Sequence, residues 1–196
     1  MSLNHLNMHL PDRRLVACFH RKAASSSLRD AFLVAAGAKD LGGPFKQAQS
    51  HVLWIPPEKV RALQKNDAHC VVAFGRHPEE RVRSAWSNSI APRRLRAKSW
   101  GDYVRKTAST PDHITDKHLR GQVYAMGTEA SPGYAHRLED MDWREVQQQL
   151  RDYCGLELPD IGRLNVSKSH DAPWTDEQRG LIRERYAADY KAFGYA

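Results

Sequence analysis

Long apolar runs are missing from this 196-residue chain, and none approaches the ~18 to 20 consecutive apolar residues that cross a bilayer as a helix. An integral membrane protein is therefore not expected. Cysteine is scarce as well. Cys18, Cys70 and Cys154 are odd in number and widely spaced, and two of them lie inside apolar runs, as buried free thiols do. That excludes a disulfide framework and a CxxC zinc site, and no His/Cys cluster has metal-ligand spacing. The segment Met1 to Arg14 carries His, Asn, Asp and Pro where a secretion signal needs an uninterrupted apolar core, so a cytoplasmic location is expected. Internal repeats, low-complexity tracts and a convincing linker are absent too, which leaves one domain over residues 1–196, with 1–13 as a candidate disordered amino-terminal segment.

What the chain does have is an ordinary globular balance, 41% hydrophobic and 27% charged, with an excess of base. Thirty Lys and Arg against twenty-three Asp and Glu give a formal charge of +7. Such a field attracts anions without saying which: nucleic acid, a membrane surface or a phosphorylated small molecule.

Three short apolar runs organise the chain. Arg14 to His20 reads as a buried strand, followed by a helix with Leu28, Phe32 and Ala35 on one face and a stop at Gly37. His51 to Ile55 is a second strand and precedes a short helix around Val60 and Leu63. Cys70 to Phe74 is the strongest strand signal, and Arg76-His77-Pro78-Glu79-Glu80 then has the chemistry of a helix start. Val82, Ala85, Trp86 and Ile90 mark that helix's buried face. Beyond Pro92 come a basic stretch, Arg93 to Lys98, a helix over Trp100 to Ala108, and two more helices opened by Asp142 and Thr175. Strands separated by helices predict an α/β fold, a central parallel sheet flanked by helices in a three-layer, P-loop-like arrangement.

The junction after the first strand is the most informative segment. Phe19-His20-Arg21-Lys22-Ala23-Ala24-Ser25-Ser26-Ser27-Leu28 sets two cations and three hydroxyls where a buried strand meets a helix. First-turn N–H groups lack intrahelical partners and the helix dipole is positive there, so a phosphate or sulfate is well received. The same residues would also serve as a plain Ser-rich cap beside surface base. A Walker A loop is excluded, because it needs GxxxxGK[ST] and this loop has no glycine.

Arg21 to Leu28 resembles the 5′-phosphosulfate loop of the sulfotransferases, in particular their carbohydrate-modifying branch. A second motif is similar to that family's 3′-phosphate site: the strand at Val71 to Phe74 leads into Arg76-His77-Pro78, with Ser84 eight residues beyond Arg76. Weaker echoes are His118-Leu119-Arg120-Gly121-Gln122, Arg137-Leu138-Glu139-Asp140, Leu164-Asn165-Val166-Ser167, and the tail with Tyr186, Asp189 and Phe193-Gly194-Tyr195. His77 stands where the family has Asp, and Gly121 where it has Pro. The resemblance spans about Leu15 to Tyr195.

It implies transfer of the sulfuryl group of 3′-phosphoadenosine 5′-phosphosulfate (PAPS) to a hydroxyl acceptor, a carbohydrate or glycolipid, leaving the product PAP, with no metal required. Lys22 would neutralise the leaving oxygen. Arg21, Lys22, Ala23, Ala24, Ser25, Ser26 and Ser27 would hold the 5′-phosphate, and Arg76 with Ser84 the 3′-phosphate. The general base would be a histidine, His51 first and His118 second; His20, directly before the loop, is a further option that the resemblance does not support. Arg81 and Arg83 read as solvated. Trp86, Trp100 and Tyr103 could stack on a sugar, although at helical spacing they read more simply as core.

Two alternatives use the same residues. A P-loop small-molecule kinase shares the strand-loop-helix anion site but requires the Walker glycines. A basic nucleic-acid-binding domain would use the +7 charge and Arg93 to Lys98, yet no aromatic interleaves that run and no helix-turn-helix, zinc-finger or RNP pattern surrounds it. Partnership with nucleic acid is not expected.

Overall fold

Alternation along two apolar strands decides which side of the sheet each side chain meets. The computed structural model describes residues 7–38, 52–65, 69–87, 90–127, 133–161 and 172–195. Within them, β1 (Asn7–Leu10), β2 (Leu15–Phe19), β3 (Leu53–Ile55), β4 (Cys70–Gly75) and β5 (Tyr134–Arg137) form one sheet in the order β3-β1-β2-β4-β5. Leu15, Ala17, Phe19, Val72 and Phe74 face one side. There they meet Leu28 and Phe32 of helix α1 (Ser25–Ala35) and Val146 and Leu150 of a later helix, Trp143–Cys154. Val16, Cys18, Val71 and Ala73 face the other, where Val60, Met126 and Phe193 cover them. Both sides of β2 and β4 are thus dry, which is why these runs are uninterrupted in the sequence.

The remaining helices are α2 (Pro57–Lys65), α3 (Pro78–Ser87), α4 (Ile90–Arg94), α5 (Trp100–Ser109), α6 (Gln122–Met126), α7 (the Trp143–Cys154 helix), α8 (Asp176–Arg185) and α9 (Ala187–Phe193). A separate cluster joins α3, α5, α8 and α9 through Val82, Ala85, Tyr103, Val104, Ile182, Tyr186 and Tyr190. Trp86, Trp100 and Tyr103 lie in it with ring centroids 5.1 to 5.8 Å apart, so they are packing residues. Among the described residues no helix is long and apolar enough to cross a membrane.

The fold is α/β, but the sheet is mixed and not wholly parallel as expected. β2, β4 and β5 run parallel, whereas β1 is antiparallel to both β2 and β3. The reason is the short link from β1 to β2. A 3-10 turn over Pro11–Arg13 and a left-handed Arg14 (φ 49°) reverse the chain within four residues, too few for the crossover that a parallel neighbour needs. Residues 7–13, assigned by sequence to a disordered segment, are correspondingly ordered: all four residues of β1 are buried, including Asn7 and His9. Ile90 also moves, since α3 stops at Ser87 and Ile90 opens α4.

Parallel register brings the carboxyl ends of three strands to one edge. Phe19 pairs with Phe74 and Gly75 with Arg137, so the residues that follow β2, β4 and β5 share that edge, where ligands of open α/β sheets bind. Gly127 fixes one wall beside it. Its φ is +79°, and a Cβ there would run into the carbonyl oxygen of Pro57 at the start of α2. Replacement Gly127→Ala is expected to cost more than about 2 kcal/mol, combining left-handed strain with overpacking. Urea unfolding measures this, and a loss under about 0.5 kcal/mol would show that α2 and α6 separate freely.

Candidate functional site

Between β2 and α1 the backbone twice adopts a conformation that L-residues avoid. Lys22 has φ 68° and Ala24 φ 49°. Each left-handed non-glycine residue costs on the order of 1 kcal/mol, so this loop does with Lys and Ala what phosphate loops do with glycine. Ala23, between them, is wholly buried, and its N–H donates to His20 O at 3.1 Å. Ala24 is the residue before the helix and offers no side-chain cap, which places Ser25, Ser26 and Ser27 in the first turn of α1. The serines therefore lie inside the helix rather than capping it from outside. Lys22 is half-buried, and its ammonium is pushed below the usual lysine range by burial and then by Arg76. Arg21 is likewise lowered by burial, opposed by Asp116.

Arg76, directly after β4, reaches this loop: its Nη1 donates to Lys22 O at 3.2 Å. Gln122 at the start of α6 grips the Arg76 backbone in both directions. The Arg76 N–H donates to Gln122 Oε1 at 2.8 Å, and Gln122 Nε2 donates to Arg76 O at 3.0 Å. His77 occupies its place by packing edge-on against Tyr190 and Tyr195, while its N–H donates to Glu139 Oε1 at 2.8 Å. Ser84 points inward and is only 5% exposed.

His118 stands close enough to Arg21, Lys22 and His20 for their charges to act on it. Asp116 holds it twice, accepting from the His118 N–H at 2.9 Å and from its Nδ1 at 2.6 Å. His20 is buried, its Nδ1–H donating to Arg21 O at 2.7 Å. Burial, followed by the charge of Arg81, keeps His20 neutral well below the usual imidazole range. His51, the first choice for the base, lies outside the described residues, as does Leu164-Asn165-Val166-Ser167.

Arg81 is the largest departure from expectation. Read as solvated, it has no exposure at all. Its Nη1 donates to the carbonyls of His118 (3.2 Å) and Arg120 (2.8 Å), its Nη2 pairs with Asp189 at 3.4 Å, and its guanidinium lies 4.7 Å from the Tyr186 ring centroid. Asp189 in turn accepts from the N–H groups of Gln122 (2.8 Å) and Val123 (2.9 Å), closing the amino end of α6. Tyr186 Oη donates to Leu119 O at 2.5 Å. Sequence reasoning missed Arg81, Asp116 and this use of Gln122. The Asp-x-His spacing at 116 and 118 was the available signal for one of them.

Beside the loop is a cavity of about 310 Å³, lined by Phe19, His20, Arg21, Arg61, Lys117 and Arg120 together with Pro57, Glu58, Tyr124 and Ala125. A larger one, about 690 Å³, lies at the opposite end of β2 between Leu10, Arg14, Ala35 and Cys154, remote from these groups. The smaller cavity adjoins the clustered cations and so is the one of chemical interest. No protein-family model, curated protein or solved structure matches the chain.

The arrangement depends on a buried ion pair, which gives a direct test. Asp189→Ala leaves Arg81 charged without a counterion and two α6 amides without an acceptor, and should destabilise the fold by about 3 to 5 kcal/mol. Chemical denaturation reads the loss. Because the amides need Asp189 too, adding Arg81→Met should not restore stability; full recovery would show that Asp189 serves only Arg81.

Proposed function

We propose that this chain is a PAPS-dependent sulfotransferase of P-loop-like architecture, acting on the hydroxyl of a carbohydrate or glycolipid. The observation that carries the reading is the meeting of two strand-end motifs, the strained Lys22–Ser27 loop and Arg76 across 3.2 Å from it. The sequence resemblance assigns them to the 5′- and 3′-phosphates of one ligand. In an α/β sheet, such neighbouring loops at strand carboxyl ends are where a nucleotide sits.

The donor set suits that ligand. The first-turn N–H groups of α1 and the serine hydroxyls offer hydrogen bonds to one phosphate, and the planar fork of Arg76 suits another. PAPS supplies the sulfuryl group, which passes to an acceptor oxygen. Lys22 brings a point charge to the loop apex, where charge grows on the leaving oxygen. His118 is the base among the described residues. Asp116 accepts from Nδ1, so the lone pair of the neutral ring is on Nε2, the atom that takes the acceptor's hydroxyl proton. The cavity beside the loop, lined by His20, Arg21, Lys117 and Arg120, would receive the acceptor.

PAP should therefore bind without added metal and raise thermal stability, by roughly 2.7 kcal/mol at a hundredfold excess over Kd. Stabilisation by ATP with magnesium and none by PAP would favour the kinase reading. Arg76→Ala should weaken PAP more than adenosine 5′-phosphate, by about 1.5 to 3 kcal/mol, because only PAP carries a 3′-phosphate. Equal weakening, measured by calorimetry, would remove Arg76 from that role.

Lys22→Ala separates binding from turnover. With radiolabelled PAPS and a panel of oligosaccharides, the transfer rate should fall more than PAP affinity, since the charge Lys22 meets is larger in the transition state than in the bound donor. An equal fall in both would make Lys22 a binding residue only. Tight nucleic-acid binding with a steep salt dependence, and no transfer to any hydroxyl, would overturn the enzyme reading.

A further inference from the structure

We infer that Asp116 is a positioning residue, which fixes the tautomer and orientation of His118 and balances the charge His118 acquires during transfer. This rests on the sulfotransferase reading for the reaction, and on geometry alone for the dyad.

Asp116 is a carboxylate with 1% side-chain exposure, and its two oxygens are divided between two tasks. Oδ1 accepts from both the backbone N–H and the Nδ1–H of His118. Oδ2 accepts from Arg94, whose side chain is largely exposed at the end of α4. A carboxylate has only acceptor sites, so the hydrogen on that short contact belongs to Nδ1. The lone pair is thereby forced onto Nε2, which makes no hydrogen bond among the described residues. Two bonds from one oxygen to the backbone and ring of the same residue also fix the ring's orientation relative to the chain.

The backbone from His118 to Arg120 is held independently. Arg81 binds the carbonyls of His118 and Arg120, and Tyr186 binds that of Leu119. Three successive carbonyls are thus anchored from the core, and Asp116 supplies what they cannot, control of the ring itself. In the reaction the acceptor's O–H proton passes to Nε2. The new S–O bond forms as the bridging S–O bond breaks, and its electron pair leaves on the 5′-phosphate of PAP. The imidazolium so formed lies near the cations Arg21 and Lys22, and Asp116 is the carboxylate among the described residues that offsets them. Without that carboxylate, proton acceptance beside two cations would be opposed.

The pKa of His118 reports this directly. Burial lowers it from the usual imidazole value, the Asp116 hydrogen bond and charge raise it, and Arg21 and Lys22 lower it. A base must be neutral to act, so turnover rises with pH through this titration. Removing the Asp116 charge takes away a raising influence, so the acidic limb of the pH–rate profile moves to lower pH while the rate on the plateau falls.

The experiment uses the full chain with 15N-labelled histidine, His118→Gln serving to assign the resonance. Expected for the wild type is a neutral His118 protonated at Nδ1. In Asp116→Asn the Nδ1–H tautomer should lose its dominance and the titration should shift to lower pH. With an acceptor found from the oligosaccharide panel, Asp116→Asn should reduce turnover at least ~10²-fold, on the order of what misorienting a catalytic histidine costs, with PAP affinity within ~3-fold of wild type. A wild-type His118 protonated at Nε2 overturns the proposal, as does Asp116→Asn with unchanged turnover or an unmoved limb. Should Asp116→Asn fail to fold, the wild-type tautomer alone decides. Failure of the sulfotransferase reading shows separately, as a wild-type chain that does not bind PAP.

Discussion

A guanidinium with no access to water imposes more on this structure than any other group. Arg81 cannot be neutralised, so its burial requires partners, and the chain supplies them from two distant segments: the carbonyls of His118 and Arg120 from one, the carboxylate of Asp189 and the face of Tyr186 from the other. Removing water from such a group costs several kcal/mol, which is recovered only when the partners are well placed. That condition locks the segment around His118 to α3 and α9. Asp189 passes the constraint on to α6, and Gln122 at the head of α6 passes it to the backbone of Arg76. A single buried cation thereby couples the His118 segment to the strand end that faces the Lys22–Ser27 loop.

The loop itself obeys a different logic. Two left-handed residues without glycine are tolerated because their surroundings leave no alternative: β2 delivers the chain from a dry sheet interior, and Leu28 and Phe32 anchor α1 against that same sheet. Ala23 is trapped between them with no exposed surface. Conformational strain held in place by packing on both sides produces a turn whose shape is set before any ligand arrives. Preorganisation of this kind suits a site whose task is to hold charge in fixed positions.

These two features differ in how far they could be read from the sequence. β2 and β4 were legible because strands buried on both faces must be apolar throughout, and the loop was legible because cations and serines at a strand-helix junction are unusual for a surface turn. β1 was not. Its Asn-Met-His-Leu alternates polar and apolar, but over only four residues, too short a run to decide, and it is a strand because β2 and β3 flank it, which is tertiary information. Arg81 escaped for a related reason: in Arg81-Val82-Arg83 an arginine beside a core valine reads as a solvated neighbour, and only the arrival of Asp189, 108 residues later, makes burial affordable. Helical spacing showed that Val82 and Ala85 were inside, but a helix packed on several sides buries more than one stripe.

The same burial explains the electrostatic character of the site. Lys22 is lowered by burial and by Arg76, and no carboxylate is among the influences on it. Arg21 is offset by Asp116, and that carboxylate is already divided between His118 and Arg94. Cations held near one another by backbone geometry, with less opposing charge than they carry, repel. On the functional reading above, a ligand with several phosphate charges relieves that repulsion on entering, so part of its binding energy comes from strain already present between Lys22 and Arg76. Asp116, the acid that acts on Arg21, gives one oxygen to His118 and the other to Arg94. A carboxylate free to pair with Lys22 would compete with the phosphate. Tied on one oxygen to His118 and on the other to Arg94, Asp116 leaves the cations to the ligand and keeps its own charge for the imidazole.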